Sequence, residues 1–122
     1  LRLGDGAVIL GDVTRRTLAG EYRSAHCFCL PTGQEGFGLV FAEAMAAGLP
    51  VVACRAAAVP EIVEDGRTGF LVNPRSPVEL ATALERLLMD EKLREGFGRA
   101  AVQRVEAFGL ERVARRFLEA LP

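Results

Sequence analysis

Apolar residues fall along this chain in short runs separated by turn residues, and the segments between those runs change to a helical period. Ala7 to Leu10, Ala25 to Leu30, Pro50 to Cys54 and Phe70 to Val72 are brief and nearly continuous, the pattern of strands buried on both faces. Turn residues punctuate them: Gly4-Asp5-Gly6 before the first, Pro31-Thr32-Gly33 after the second, Asp65-Gly66 before the fourth. A helix capped by the Thr14 hydroxyl is predicted after the first run. Leu39 to Ala47 reads as another helix, stopped by Gly48 and Pro50. Strand and helix in alternation predict parallel strands with helical crossovers.

The C-terminal third is helical in pattern. Ser76-Pro77-Val78-Glu79 has the form of a capping box, in which Ser76 and Glu79 each satisfy an otherwise unpaired amide. Leu80, Leu84, Leu87 and Leu88 then predict one apolar face. Leu110, Val113, Ala114, Phe117, Leu118 and Leu121 recur at helical spacing, with Arg112, Arg115, Arg116 and Glu119 largely on the opposite, solvated side. The expected fold is α/β, a three-layer Rossmann-like domain with a parallel sheet, helices on both faces and a C-terminal helical segment. No repeat, low-complexity tract or linker divides residues 1–122, so one domain is expected.

Composition narrows the function more than the fold. A chain of 122 residues has the size of one domain, and its formal charge of −1 creates no global field for nucleic acid or an anionic membrane. Any bound anion must be held by local groups. No apolar run approaches the ~20 residues that span a bilayer. The opening Leu1-Arg2-Leu3-Gly4 has neither an initiating Met nor a signal-peptide pattern, which suggests that these residues are part of a longer protein. Cys27, Cys29 and Cys54 form no C-x-x-C pair, and their odd number argues against a disulfide framework. Cys27 and Cys29 share a strand face by period two and are read as packed, reduced thiols. His26 is the one histidine and has no metal-ligand spacing around it, so no metal site is expected.

The segment where chemistry concentrates runs from Pro31 through Glu43. It lies at the carboxyl end of a predicted parallel strand, where open α/β sheets place ligands. Gly36 and Gly38 clear side chains from the approach to a helix start, where backbone amides and the helix dipole favour a diphosphate. Two carboxylates frame that position. Glu35 sits in the loop, and Glu43 interrupts the apolar Leu39-Val40-Phe41-Ala42-Glu43-Ala44-Met45. Burying Glu43 is costly unless it accepts hydrogen bonds, and the paired hydroxyls of a ribose would supply them. Spacing alone leaves two readings open: a ligand pair, or a loop carboxylate with a second one on an exposed edge.

Those residues resemble the C-terminal domain of GT-B-fold retaining glycosyltransferases of family 4, the glycosyl transferases group 1. The likeness rests on Glu35 and Glu43 with seven residues between them, in Pro31-Thr32-Gly33-Gln34-Glu35-Gly36-Phe37-Gly38 and Glu43-Ala44-Met45-Ala46-Ala47-Gly48-Leu49-Pro50. Gly11-Asp12-Val13, Pro60-Glu61-Ile62-Val63 and Asp65-Gly66-Arg67-Thr68-Gly69-Phe70 support it, and it extends over almost the whole chain. The resemblance implies that Glu35, Gly36, Phe37 and Gly38 contact the donor sugar. It assigns the diphosphate to amides of Gly38, Leu39 and Val40, the ribose to Glu43, and the nucleobase neighbourhood to Gly11 and Val13. It implies a nucleoside-diphosphate sugar as co-substrate, no cofactor or metal, and hexosyl transfer with retention. An N-terminal acceptor domain and an upstream Arg and Lys pair would lie outside these residues, leaving the chain inactive alone. The reduced thiols point to a cytoplasmic location, to which the other domain could add peripheral attachment to a membrane.

Ala56-Ala57-Ala58 departs from the Gly-Gly pair common in that family. Glu61 is assigned to structure, as a cap for a short helix, more readily than to a ligand. Gly96-Phe97-Gly98-Arg99-Ala100-Ala101 matches a dinucleotide fingerprint as a string, but a helical segment precedes it where a strand is required. Two rivals to the enzyme reading are a non-catalytic or degenerate nucleotide-sugar-binding module and a nucleotide-sugar epimerase of the same two-domain fold.

Overall fold

A computed structural model describes residues 6–31, 39–56 and 58–109. Its elements in chain order are α1 (Arg15–Ser24), β1 (Phe28–Leu30), α2 (Leu39–Ala46), β2 (Val51–Cys54), α3 (Val59–Ile62), β3 (Gly69–Val72), α4 (Pro77–Met89) and α5 (Glu91–Ala107). The three strands are parallel in the order β1-β2-β3, with Phe28 opposite Val51 and Val51 opposite Gly69. All four residues of the central strand β2 are buried, as a strand covered on both faces requires.

The period of two divides the core into two layers. Val51, Ala53 and Leu71 pack with Phe41 and Met45 of α2, Val59 and Ile62 of α3, and Ala101 and Val105 of α5. Val52, Cys54 and Val72 pack with Ala83 and Leu87 of α4 and Phe97 of α5, and Cys27 and Cys29 border this second layer. Helices therefore cover both faces, and the α/β expectation holds. Burial pushes the Cys29 thiol up to about 11, with the neighbouring thiols Cys27 and Cys54 adding to the rise, and raises Cys27 for the same principal reason. Both thiols are half-buried and reduced.

Helix ends follow local chemistry. The Thr14 hydroxyl accepts from the Thr17 amide at 3.1 Å, as its sequence position predicts. Gly48, at φ 81°, ends α2: its own amide donates to Met45 and the Leu49 amide donates to Ala44. This six-to-one and five-to-two pair is a Schellman closure, which needs a residue in the left-handed region. The turn then packs against α5, where a Cβ on Gly98 would meet the Gly48 carbonyl. Gly96 to Ala101 lies inside α5, so the apparent dinucleotide string is a helix-packing site.

Several expectations are corrected. Ala7 to Leu10 is not a strand: Val8 and Ile9 are each 80% exposed, and among the described residues β1 has a neighbour only on its β2 side. The outer edge of β1 is open, but apolar composition alone does not bring this run to it. The capping box is half formed. Ser76 Oγ accepts from the Glu79 amide at 3.3 Å, but the Glu79 carboxylate binds the backbone and side-chain amides of Asn73, at 3.1 and 2.8 Å. Leu88 is exposed and Ala83 is buried in its stead, because Leu88 falls at the margin of the stripe centred on Leu80 and Leu87. The helical pattern from Leu110 to Leu121 lies outside the described residues.

Candidate functional site

β1 ends at Leu30, and the described chain resumes at Leu39 as the start of α2. Residues Glu35, Gly36, Phe37 and Gly38 lie outside the described residues, as does Ala57. Leu39 and Val40 form the first described turn of α2, the position assigned to diphosphate-binding amides. Glu43 follows four residues later, about 6 Å along the axis.

Glu43 is only 9% exposed, and it is one of two buried polar residues among those described. The other, Thr68, is satisfied by backbone bonds to Glu64. No hydrogen bond or ion pair to the Glu43 carboxylate occurs among the described residues. The next residue, Ala44, packs with Ala19 and Tyr22 of α1. Loss of solvent raises the Glu43 pKa above the 4.5 of a free glutamate, and the Arg15 guanidinium opposes that rise. Tyr22, also buried, is pushed up to about 12 by desolvation first and by the Glu43 charge second. The charge of Glu43 is thus felt by Tyr22, and that of Arg15 by Glu43. The sequence pointed to Glu43, since a lone carboxylate in an apolar helix is legible. It did not point to Tyr22 or Arg15, which only the packing of α1 brings near.

Gly11 adopts φ 70°, and a Cβ there would meet open space. Val13 is 38% exposed and Thr14 caps α1, so this loop presents backbone and one apolar side chain to solvent. Ala58 adopts φ −88°, a conformation ordinary for alanine, and it donates no side-chain cap to α3. Glu61 is exposed in the first turn of α3 and does not cap it; its backbone carbonyl is the group engaged, accepting from Arg104. His26 is exposed, and no group of His, Cys, Asp or Glu among the described residues is placed to hold a metal.

A second feature had no sequence signal except an unusual turn. A cleft of about 230 Å³ opens at the carboxyl ends of all three strands, lined by Pro31, Cys54, Val72, Arg75, Pro77 and Leu80 among others. Arg75 stands at its rim with φ 65°, a left-handed conformation that is uncommon outside glycine.

Parallel strands, helices on both faces and a cleft at the carboxyl ends of the strands define a Rossmann-like α/β domain of the type found in GT-B glycosyltransferases. The sequence matches the glycosyl transferases group 1 family over residues 1–90. The chain belongs to that family. It is 41% identical to a sulfoquinovosyl transferase of Arabidopsis thaliana over 108 residues, 86% of this chain and 21% of that protein. Its structure superposes on sucrose-phosphate synthase from Thermosynechococcus elongatus with a TM-score of 0.81 at 32% identity, covering 97% of this chain and 32% of that one. It also superposes on the C-terminal domain of a glycosyl transferase group 1 family protein from Francisella tularensis, with a TM-score of 0.71 at 33% identity over 83% of this chain and 51% of that one. The chain spans about a fifth of the curated relative. Among the described residues no helix is long and apolar enough to cross a membrane.

Proposed function

We propose that these residues are the donor-binding unit of a glycosyltransferase, holding a nucleoside-diphosphate sugar for retaining, metal-independent transfer of a hexosyl group. The observation that carries this reading is Glu43: a carboxylate buried one turn inside α2, without a hydrogen bond among the described residues. A buried ionisable group left unpaired costs stability, so it calls for a ligand that completes it. Vicinal ribose hydroxyls can donate two bonds to one carboxylate. In this reading the amides of Gly38, Leu39 and Val40 take the diphosphate at the start of α2, and Glu35 with Gly36, Phe37 and Gly38 takes the sugar. Gly11 and Val13 lie beside the base.

The carboxylates bind and orient the donor; neither is required as nucleophile or base. The leaving diphosphate must then be stabilised by positive groups. We assign these to an Arg and a Lys on a segment upstream of these residues, and the acceptor site to an N-terminal domain of the whole protein, which acts in the cytoplasm. Residues 1–122 alone would then bind a donor without turning it over.

Calorimetric titration of the folded chain with UDP, GDP and ADP tests the reading. One of them is expected to bind, and Glu43→Ala should weaken it about ten- to a hundredfold, the value of hydrogen bonds to a charged acceptor. Absence of binding to all three at millimolar concentration would sink the proposal.

A further inference from the structure

β3 is an edge strand: among the described residues it pairs only with β2. Backbone groups alternate in direction along a strand. The Thr68 carbonyl accepts from the Val51 amide at 3.2 Å, and the Val72 carbonyl from the Arg55 amide at 2.8 Å, so these alternate positions face β2. The backbone groups of Gly69 and Leu71 therefore face outward, where an open edge would offer them to another chain.

Much of that edge is occupied from within the chain. The Gly69 carbonyl accepts from the Gly66 amide at 2.8 Å. The Leu71 amide donates to Asp65 Oδ1 at 2.9 Å, and the Leu71 carbonyl accepts from Arg55 Nη2 at 3.3 Å. The same Nη2 lies 3.0 Å from Asp65 Oδ2, which ties the two side chains together across the edge. Asp65 and Gly69 form an isolated parallel bridge, so the Asp65-Gly66 turn lies alongside β3 in the place of a next strand. Stability does not account for the pair. Its side chains are 50% and 41% exposed, and ion pairs that open to solvent add little.

The strand beneath this cover is suited to self-pairing. Gly69-Phe70-Leu71-Val72 carries no charge and is rich in strand-forming residues. A groove of about 220 Å³ lies beside it, between Phe70 and Val72 of β3 and Val78, Thr82, Ala83 and Arg86 of α4, and would seat apolar side chains of an added strand. Such an edge is self-complementary. Two copies related by a twofold axis present the same amides and carbonyls to each other in antiparallel register.

We propose that Asp65 and Arg55 form an inhibitory cover on the outer edge of β3, holding off a second copy of this chain that would otherwise extend the sheet through Leu71. The role is independent of the donor-binding reading, since none of these groups belongs to that site.

The test is made in chains whose exposed Val8 and Ile9 are replaced by Ser, so that the apolar stretch before α1 does not contribute. Asp65→Ala removes the acceptor of the Leu71 amide and releases Arg55. In sedimentation velocity it is expected to self-associate about tenfold more tightly than the parent, the equivalent of about one hydrogen bond across the new edge. Hydrogen exchange identifies the edge. The Leu71 amide of Asp65→Ala should exchange faster than the parent's at low concentration, and slow again as rising concentration brings a second copy over it. If Asp65→Ala does not fold, Arg55→Ala keeps the Asp65 bond, opens only the Leu71 carbonyl and should tighten association by a smaller factor. A folded variant as monomeric as the parent overturns the cover. So does association that leaves exchange at Leu71 in Asp65→Ala independent of concentration, because the contact then lies on another face.

Discussion

At the scale of the residue, Glu43 sets function against stability. Burial raises its folded pKa above the value of a free glutamate. The sign follows directly: at pH below the free value the side chain is protonated in both states and costs nothing. As pH rises from that value through the raised folded pKa, the unfolded chain releases its proton first, and stability falls. Glu43→Gln should therefore unfold at higher urea than wild type at neutral pH, and the difference should vanish below pH 4.5. Nucleotide affinity should move oppositely, rising with pH as the carboxylate ionises. A variant that is more stable yet binds less tightly is the signature of a residue kept for its ligand. Equal stabilities of the two proteins across the pH range would show instead that the carboxylate is solvated.

At the scale of the element, α5 carries two glycines with opposite roles. Gly98 lies where α5 crosses the end of α2, and a Cβ there would run into the Gly48 carbonyl, which cannot rotate away. Gly96 is two residues earlier, and its nearest atom is the flexible Arg99 Nη2 at 4.0 Å. Alanine is favoured over glycine inside a helix by about 1 kcal/mol. Gly96→Ala should gain part of that. Gly98→Ala should lose about 1–2 kcal/mol net, since overpacking of a tight contact costs about 1–3 kcal/mol. Urea titrations in which both variants shift in the same direction would contradict this crossing. The same helix bears Arg94, whose Nη1 donates to the Leu87 and Leu88 carbonyls at 2.7 and 2.9 Å, so arginines of α5 close the ends of both α4 and α3.

At the scale of the whole molecule, the exposed apolar stretch before α1 stands apart from the closed core. Val8 and Ile9 are 80% exposed and Leu10 50%. Contiguous apolar surface of this kind drives association. The chain should elute from a sizing column earlier as its concentration rises, and replacing Val8 and Ile9 together by Ser should suppress the shift. A concentration-independent monomer would show that these side chains are sequestered in solution. The core itself needs no such partner, because both layers close around β2.

Much of this arrangement was legible from the sequence. Three of the four apolar runs became parallel strands, because apolar runs this short, flanked by turn residues, suit a strand better than a helix. Thr14 capped its helix and Gly48 ended another, since each acts on amides or carbonyls within a few residues of itself. Glu43 was marked as exceptional by its apolar neighbours alone, and the pair Glu35 and Glu43 carried the family resemblance. What the sequence could not determine depends on contacts between distant segments. Ala7 to Leu10 has the composition of a strand, but pairing depends on an edge that composition does not encode. Glu79 belongs to a local capping pattern, yet Asn73, positioned by β3, takes its carboxylate. The fixing of α3 by Arg104, the nearness of Tyr22 and Arg15 to Glu43 and the packing at Gly98 all arise only when helices cross. Local hydrogen-bond chemistry and hydrophobic period are written in short windows of sequence; desolvation and long-range capping exist only once the chain has folded back on itself.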